Sequence, residues 1–149
     1  MLIPDVDETT GYLPPGVHGA TLAELVNAFG WNSRRRELLA GLRKGLSFLK
    51  HAGCRRVFVN GSFVTSKENP GDMDVCWDED GVDPEKLDPV LLEFGNKRAA
   101  QKAKFGCEFF IASWDADGDG EPFTSFFRHD REGVEKGIVL LSLEQEKDL

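Results

Sequence analysis

Apolar positions follow helical spacing in the first third of the chain and gather into short runs after that. Leu22, Leu25, Val26 and Phe29 share one helical face, and Thr21 and Glu24 stand at capping-box spacing ahead of them. A helix is therefore predicted from about Thr21, ending at Gly30. Leu38, Leu39, Leu42, Leu46 and Leu49 form a second stripe, which predicts a longer helix from about Ser33 to His51. Arg34, Arg35, Arg36, Arg43 and Lys44 fall mostly on its outward face, and Gly53 is a natural stop.

The pattern then changes period. Arg56-Val57-Phe58-Val59-Asn60 is a short β-rich run leading into Gly61-Ser62, and a polar loop spans Thr65 to Gly71. Met73-Asp74-Val75-Cys76-Trp77 reads as a second strand. A helical region is expected from Asp83-Pro84, with Pro84 at its first position, broken near Gly95 and reaching about Lys104. A third strand is expected over Cys107 to Trp114, a turn at Asp117-Gly118 and Asp119-Gly120, a short aromatic segment around Phe123, Phe126 and Phe127, and a last strand over Gly137 to Leu143.

Residues 1–19 are rich in Pro and Gly and aperiodic, which predicts an extended arm draped over the domain; the acidic tail 144–149 is expected to fray. No internal repeat is visible. The element order predicts an α+β domain with a small mixed or antiparallel sheet and helices on one side.

Composition narrows the function classes. The 149 residues suit one domain, and 40% apolar with 30% charged residues is a globular balance. No apolar run approaches the ~20 residues of a membrane helix, and the first residues have neither the basic start nor the apolar core of a secretory signal. Cys54, Cys76 and Cys107 are widely separated and odd in number, which speaks against a disulfide framework or a cysteine-rich zinc site and fits a reducing cytoplasm. The net charge of −8 excludes an extended nucleic-acid coat, because phosphate binding needs a basic footprint. It leaves a single metal-assisted nucleotide open.

The chemistry concentrates between Val57 and Val75. A strand runs into Gly61-Ser62, and after a polar loop comes Asp72-Met73-Asp74-Val75. A glycine lets backbone approach a triphosphate closely, and a serine offers a hydroxyl and an N–H to it. Asp72 and Asp74 are two apart on a strand, so both point to one face, where two carboxylates call for a shared cation. Hard oxygen ligands suit Mg²⁺, and two such ions can clamp the attacking and leaving oxygens of an in-line displacement. Ser66 and Lys67 lie in the same loop within reach of a triphosphate, the plainer alternative being a solvated loop.

Hydrophobic strand, Gly-Ser, a gap of roughly ten, then Asp-x-Asp resembles the signature of the DNA polymerase β-like nucleotidyltransferase superfamily. Within it the chain resembles a small prokaryotic and phage family, through Leu13-Pro14-Pro15-Gly16-Val17-His18, Gly61 to Lys67, the Asp72/Asp74 pair and the segment from Arg131 through Lys136 to Val139. Asn60 departs from the usual apolar residue before the glycine. The resemblance implies a minimal nucleotidyltransferase fold that moves an NMP from an NTP to a hydroxyl acceptor, a protein or a tRNA end. Small domains of this kind serve in toxin–antitoxin or phage-defence loci. Asp72 and Asp74 would hold two Mg²⁺ ions, and Gly61 and Ser62 the β and γ phosphates. A third carboxylate is implied on a neighbouring strand. Glu108 is the candidate, in place of the usual aspartate, with Asp115 in reserve. That replacement keeps a second class open: a catalytically inert, antitoxin-like scaffold. The acidic charge favours a protein acceptor or a basic protein partner over a large RNA.

The remaining motifs receive plainer readings. Asp115 to Gly120 resembles the start of a calcium loop, but its twelfth position falls on Phe126, so a hairpin turn is expected. His18, His51 and His129 share no ligand spacing. Arg34-Arg35-Arg36 and Arg55-Arg56 read as solvated ends, with a phosphate or partner contact as the alternative. Arg131 and Lys136 are candidates to hold nucleotide or acceptor. The aromatic group Phe109 to Phe127 is mostly core, though adjacent Phe residues cannot all point inward.

Overall fold

The computed structural model describes residues 3–149; Met1 and Leu2, the start of the expected arm, lie outside the described residues. Nine regular elements are described, apart from short 3-10 turns: β1 (Val17–Ala20), α1 (Leu22–Phe29), α2 (Ser33–His51), β2 (Arg56–Asn60), β3 (Asp74–Trp77), α3 (Gly95–Phe105), β4 (Glu108–Ile111), α4 (Phe123–Phe126) and β5 (Ile138–Ser142). The fold is α+β around one mixed sheet of order β1-β5-β2-β3-β4. β2 runs antiparallel to β3 and β5, while β1 pairs parallel with β5 and β4 parallel with β3.

The first two helices form where their caps and stripes place them. Thr21 accepts from the Glu24 N–H at 3.1 Å and its own N–H donates to the Glu24 carboxylate at 2.9 Å, so two orphan donors of α1 are satisfied. Asn32 caps α2 by accepting from the Arg35 N–H at 2.9 Å. The leucine stripes of both helices pack on Val57, Val59, Val75, Phe109, Val139 and Leu141, which form the main core on one face of the sheet. Gly41 lets α2 approach closely: a Cβ there would lie 1.6 Å from the Phe105 carbonyl oxygen. A smaller cluster, Cys76, Phe110 and Ala112 with Phe58, Phe123 and Phe127, occupies the other face under α4. The three longer helices thus lie on one side of the sheet and the short α4 on the other.

Four expectations need correction. The arm contains a strand, β1, whose Val-His-Gly-Ala sequence has no alternation; the free edge of β5 templates it, in register from Val17 opposite Ile138 to Ala20 opposite Leu141. The rest of the arm is draped as expected, with Leu13 buried in the core. No helix opens at Pro84. Residues 84–86 form a turn, Pro89–Leu92 make a 3-10 turn capped by Asp88, and α3 begins at Gly95 through Asn96, Lys97 and Arg98, the last three at positive φ. Pro89 lacks an N–H and disfavours a helical Asp88, so a continuous helix cannot pass. β4 stops at Ile111, because β3 ends at Trp77 and leaves no ladder beyond the Ala112 N–H bond to the Trp77 carbonyl. Finally, the tail is tied down. The Leu22 N–H donates to the Glu146 carboxylate at 3.0 Å, Lys50 donates to the Glu146 carbonyl, and Leu149 packs against the core.

Among the described residues no helix is long and apolar enough to cross a membrane. All three cysteines are buried free thiols.

Candidate active site

Alternation along three neighbouring strands gathers the polar candidates. Val59, Val75 and Phe109 point into the main core, so Asn60, Asp74 and Glu108, each one residue away, face the opposite side. Register then places them in one row: Asn60 stands opposite Asp74 across β2–β3, and Asp74 opposite Glu108 across β3–β4.

Gly61 turns the chain out of β2 at φ +84°. A Cβ there would lie 3.0 Å from Oδ2 of both Asp72 and Asp74, so only glycine leaves the two carboxylates their place. A 3-10 turn, Ser62–Val64, follows. Its Ser62 hydroxyl donates to the Asp72 carboxylate and its Ser62 N–H reaches Asp72 Oδ1 at 3.3 Å, while the Phe63 N–H bonds the Asp72 carbonyl at 3.1 Å. Gly61-Ser62 and the Asp pair are therefore one hydrogen-bonded unit.

The loop after Ser62 is held from beneath by α2. Arg35, read from sequence as a solvated helix end, is fully buried. Its Nη1 donates to the Phe29 and Phe63 carbonyls at 3.2 and 2.7 Å, and its Nη2 to the Thr65 and Lys67 carbonyls at 2.7 and 2.5 Å. The guanidinium also lies 3.6 Å from the centroid of the Trp31 ring. Burial lowers its pKa to about 10, still well above neutrality, so it remains a cation. Asn32 adds a bond to the Glu68 carbonyl at 2.6 Å and Arg34 one to the Pro70 carbonyl at 3.3 Å. In sequence only the run of three arginines hinted at this role, and nothing distinguished the middle one beyond its helical phase.

The two aspartates differ electrostatically. Burial, the Asp72 charge and the Glu108 charge push the Asp74 carboxyl up to about 8. Burial acts in the same direction on Asp72, but the Ser62 hydroxyl, the hydrogen bond shared with Asp74, the Ser62 N–H and the Lys136 charge outweigh it and hold Asp72 below the ordinary aspartate range. The pair carries one proton between its two carboxylates near neutrality.

The pair opens on a cavity of about 990 Å³. Gly61, Ser62, Ser66, Lys67, Asp72 and Asp74 all line it, and so do Arg131 and Lys136 from the segment before β5. Sequence reasoning missed the arm's contribution. Tyr12 lines the cavity, bridges Thr65 in a single β-pair and donates its hydroxyl to Asp130 at 2.8 Å. The Ser66 N–H bonds the Gly11 carbonyl at 2.9 Å. His129 also reaches the cavity wall, whereas His18 bonds the Pro14 carbonyl at 2.6 Å and serves the arm.

Glu108 is in the predicted row but does not line this cavity. Its carboxylate pairs with Lys102 of α3 at 3.1 Å, in a neighbouring cleft of about 260 Å³ that shares Asp72 with the larger one. Asp115, the reserve, accepts from the Asp117 and Gly118 N–H groups and closes the acidic turn on itself, as a hairpin reading requires. Among the described residues no group of three or more His, Cys, Asp or Glu side chains is arranged to hold a metal ion. Asp72 and Asp74 still fit a divalent cation: two hard oxygen donors are crowded at a cavity wall, and a cation there would displace the proton that burial and the Asp72 charge keep on Asp74. Glu108 in its pairing with Lys102 does not add a third.

The fold and the site define a small α+β domain with an open cavity whose lining includes a carboxylate pair and a hydroxyl-bearing loop. The chain belongs to DUF6932, a family of unknown function, whose model matches residues 4–142. No curated protein and no solved structure matches it.

Proposed function

We propose that this chain is a nucleotidyltransferase of the DNA polymerase β-like type, moving an NMP from an NTP to a hydroxyl acceptor, a protein or a tRNA end, in the cytoplasm. The observation that carries the reading is the unit formed by Gly61, Ser62, Asp72 and Asp74 at the wall of a nucleotide-sized cavity. Asp72 and Asp74 would hold Mg²⁺, which supplies positive charge to the phosphates and to the developing oxyanion. Gly61 and Ser62 would hold the β and γ phosphates, with Lys67, Arg131 and Lys136 on the same cavity. Arg35 keeps the Ser62–Lys67 backbone in place, so these groups are positioned before substrate arrives. Glu108, opposite Asp74, is the group proposed to take the acceptor proton once released from Lys102.

One observation favours a second reading. The Lys102–Glu108 pair leaves the Asp72/Asp74 site without its third carboxylate, which suits a catalytically inert, antitoxin-like module that binds a basic protein partner. Incubation with Mg²⁺ and each α-labelled NTP, in the presence of tRNA or cell protein, separates the two. The enzyme transfers label to a macromolecule and releases pyrophosphate, and Asp72→Ala/Asp74→Ala does neither. Absence of transfer with every NTP and acceptor supports the inert module.

A further inference from the structure

The cavity is larger than a metal-bound triphosphate requires, and its lining is not all polar. Phe126 of α4 and Phe127, the residue after it, line the same cavity as Asp72, Asp74, Ser62 and Lys67. Of the seven large hydrophobic residues exposed on the described surface, Phe126 alone lines this cavity, and it is 43% exposed. Single exposed apolar residues are ordinary on a surface. A phenylalanine left open within the polar cavity that holds the carboxylates is less ordinary.

The scaffold behind it is aromatic. Phe127 packs edge-on against Phe110 at 4.9 Å and Phe126 edge-on against Phe127 at 5.4 Å, while Phe123 lies 4.7 Å from Phe110. Phe110 and Cys76 sit two residues beyond Glu108 and Asp74 on the same sheet face. Two residues along a strand is roughly 7 Å. Phe110, on which Phe127 packs, therefore stands about that far along the sheet from the carboxylate row, on the same face.

We propose that Phe126, backed by Phe127, is the stacking wall for the base of a nucleotide whose phosphates lie at the Asp72/Asp74 end. This rests on the nucleotidyltransferase reading and adds the orientation of the ligand and its recognition by the base face. A bare phenylalanine ring stacks on purines and pyrimidines alike, so the site favours a base over no base more than one base over another.

The test compares ATP with inorganic tripolyphosphate, which has the phosphates and no base, by calorimetry in Mg²⁺ on the full chain. The expected result is that wild type binds ATP at least about tenfold more tightly than tripolyphosphate. Phe126→Ala then loses about five- to twentyfold for ATP and leaves tripolyphosphate unchanged, and Phe126→Trp retains ATP binding. Phe126 is half-exposed, so the variants are expected to melt with wild type; if Phe126→Ala melts early, Phe126→Trp and Phe126→Leu carry the comparison, ring against no ring. Equal affinity for the two ligands, or an unchanged ATP affinity without the ring, overturns the stacking wall while the phosphate site stands. Failure of wild type to bind either ligand overturns the nucleotidyltransferase reading and the stacking wall together.

Discussion

Asp74 and Glu108 face each other across the parallel β3–β4 register, yet their carboxylates are turned to different partners: Asp74 to Asp72, Glu108 to Lys102. Register fixes where a Cβ sits, while the outermost atoms of a long side chain answer to local charge. A lysine lies within reach on α3, so Glu108 takes the lysine.

In the proposed site Lys102 would thus compete with a cation for Glu108. Lys102→Met is expected to raise Mn²⁺ affinity about two- to fivefold, as loss of a half-exposed ion pair of less than about 1 kcal/mol allows. Calorimetric titration checks this. An unchanged or weaker affinity means that Glu108 has no part in holding the metal.

Asp74 sets a pH dependence in the metal-free protein. Its folded pKa of about 8 lies above its ordinary value of 3.8, so between those values the folded state binds more protons than the unfolded one. Stability from this group is therefore full at low pH and falls as pH rises through about 8. Asp74→Asn should flatten that slope and stabilise the metal-free protein by ~2–5 kcal/mol at pH 8.5, by relieving a buried charge. Denaturant unfolding at several pH values measures it; a slope that persists in Asp74→Asn assigns it elsewhere.

Arg35→Ala leaves the buried carbonyls of Phe29, Phe63 and Thr65 and the part-buried one of Lys67 without their donor and opens space beside Trp31. A loss of ~3–5 kcal/mol is expected. Arg35→Lys recovers only part of it, because one ammonium cannot span the fork. Equal stability of Lys and Ala variants would show that the geometry of the fork is unimportant.

Gly61→Ala places a Cβ against both aspartates on a positive-φ backbone. It is expected to cost ~1–3 kcal/mol and to abolish divalent-cation binding. Melting and Mn²⁺ titration of the same sample read both effects, and a variant that melts early while still binding Mn²⁺ would separate fold from site.

Much of this arrangement was legible in the sequence. Leucine spacing marks α1 and α2, with the Thr21 capping box opening α1, and the alternation in β2 and β3 puts Asp74 opposite the core. Gly61, Ser62, Ser66, Lys67, Asp72 and Asp74 were readable as a group because each lies within or beside one strand–loop–strand unit. What escaped depended on distant chain. β1 exists because β5 offers an edge, Tyr12 reaches the cavity because the arm crosses the loop, and Arg35 is buried because that loop folds over it. The Pro84 helix failed for a local reason, since Pro89 blocks its continuation.

The central claim is that Asp72 and Asp74 hold a divalent cation together with an NTP. The most direct measurement is the melting temperature of wild type and of Asp72→Ala/Asp74→Ala, each with Mg²⁺ and NTP separately and together. At a ligand concentration about a hundred times the dissociation constant, wild type should melt several degrees higher with both ligands and the double variant should not move. No shift in wild type with any NTP, or an equal shift in the double variant, contradicts the account.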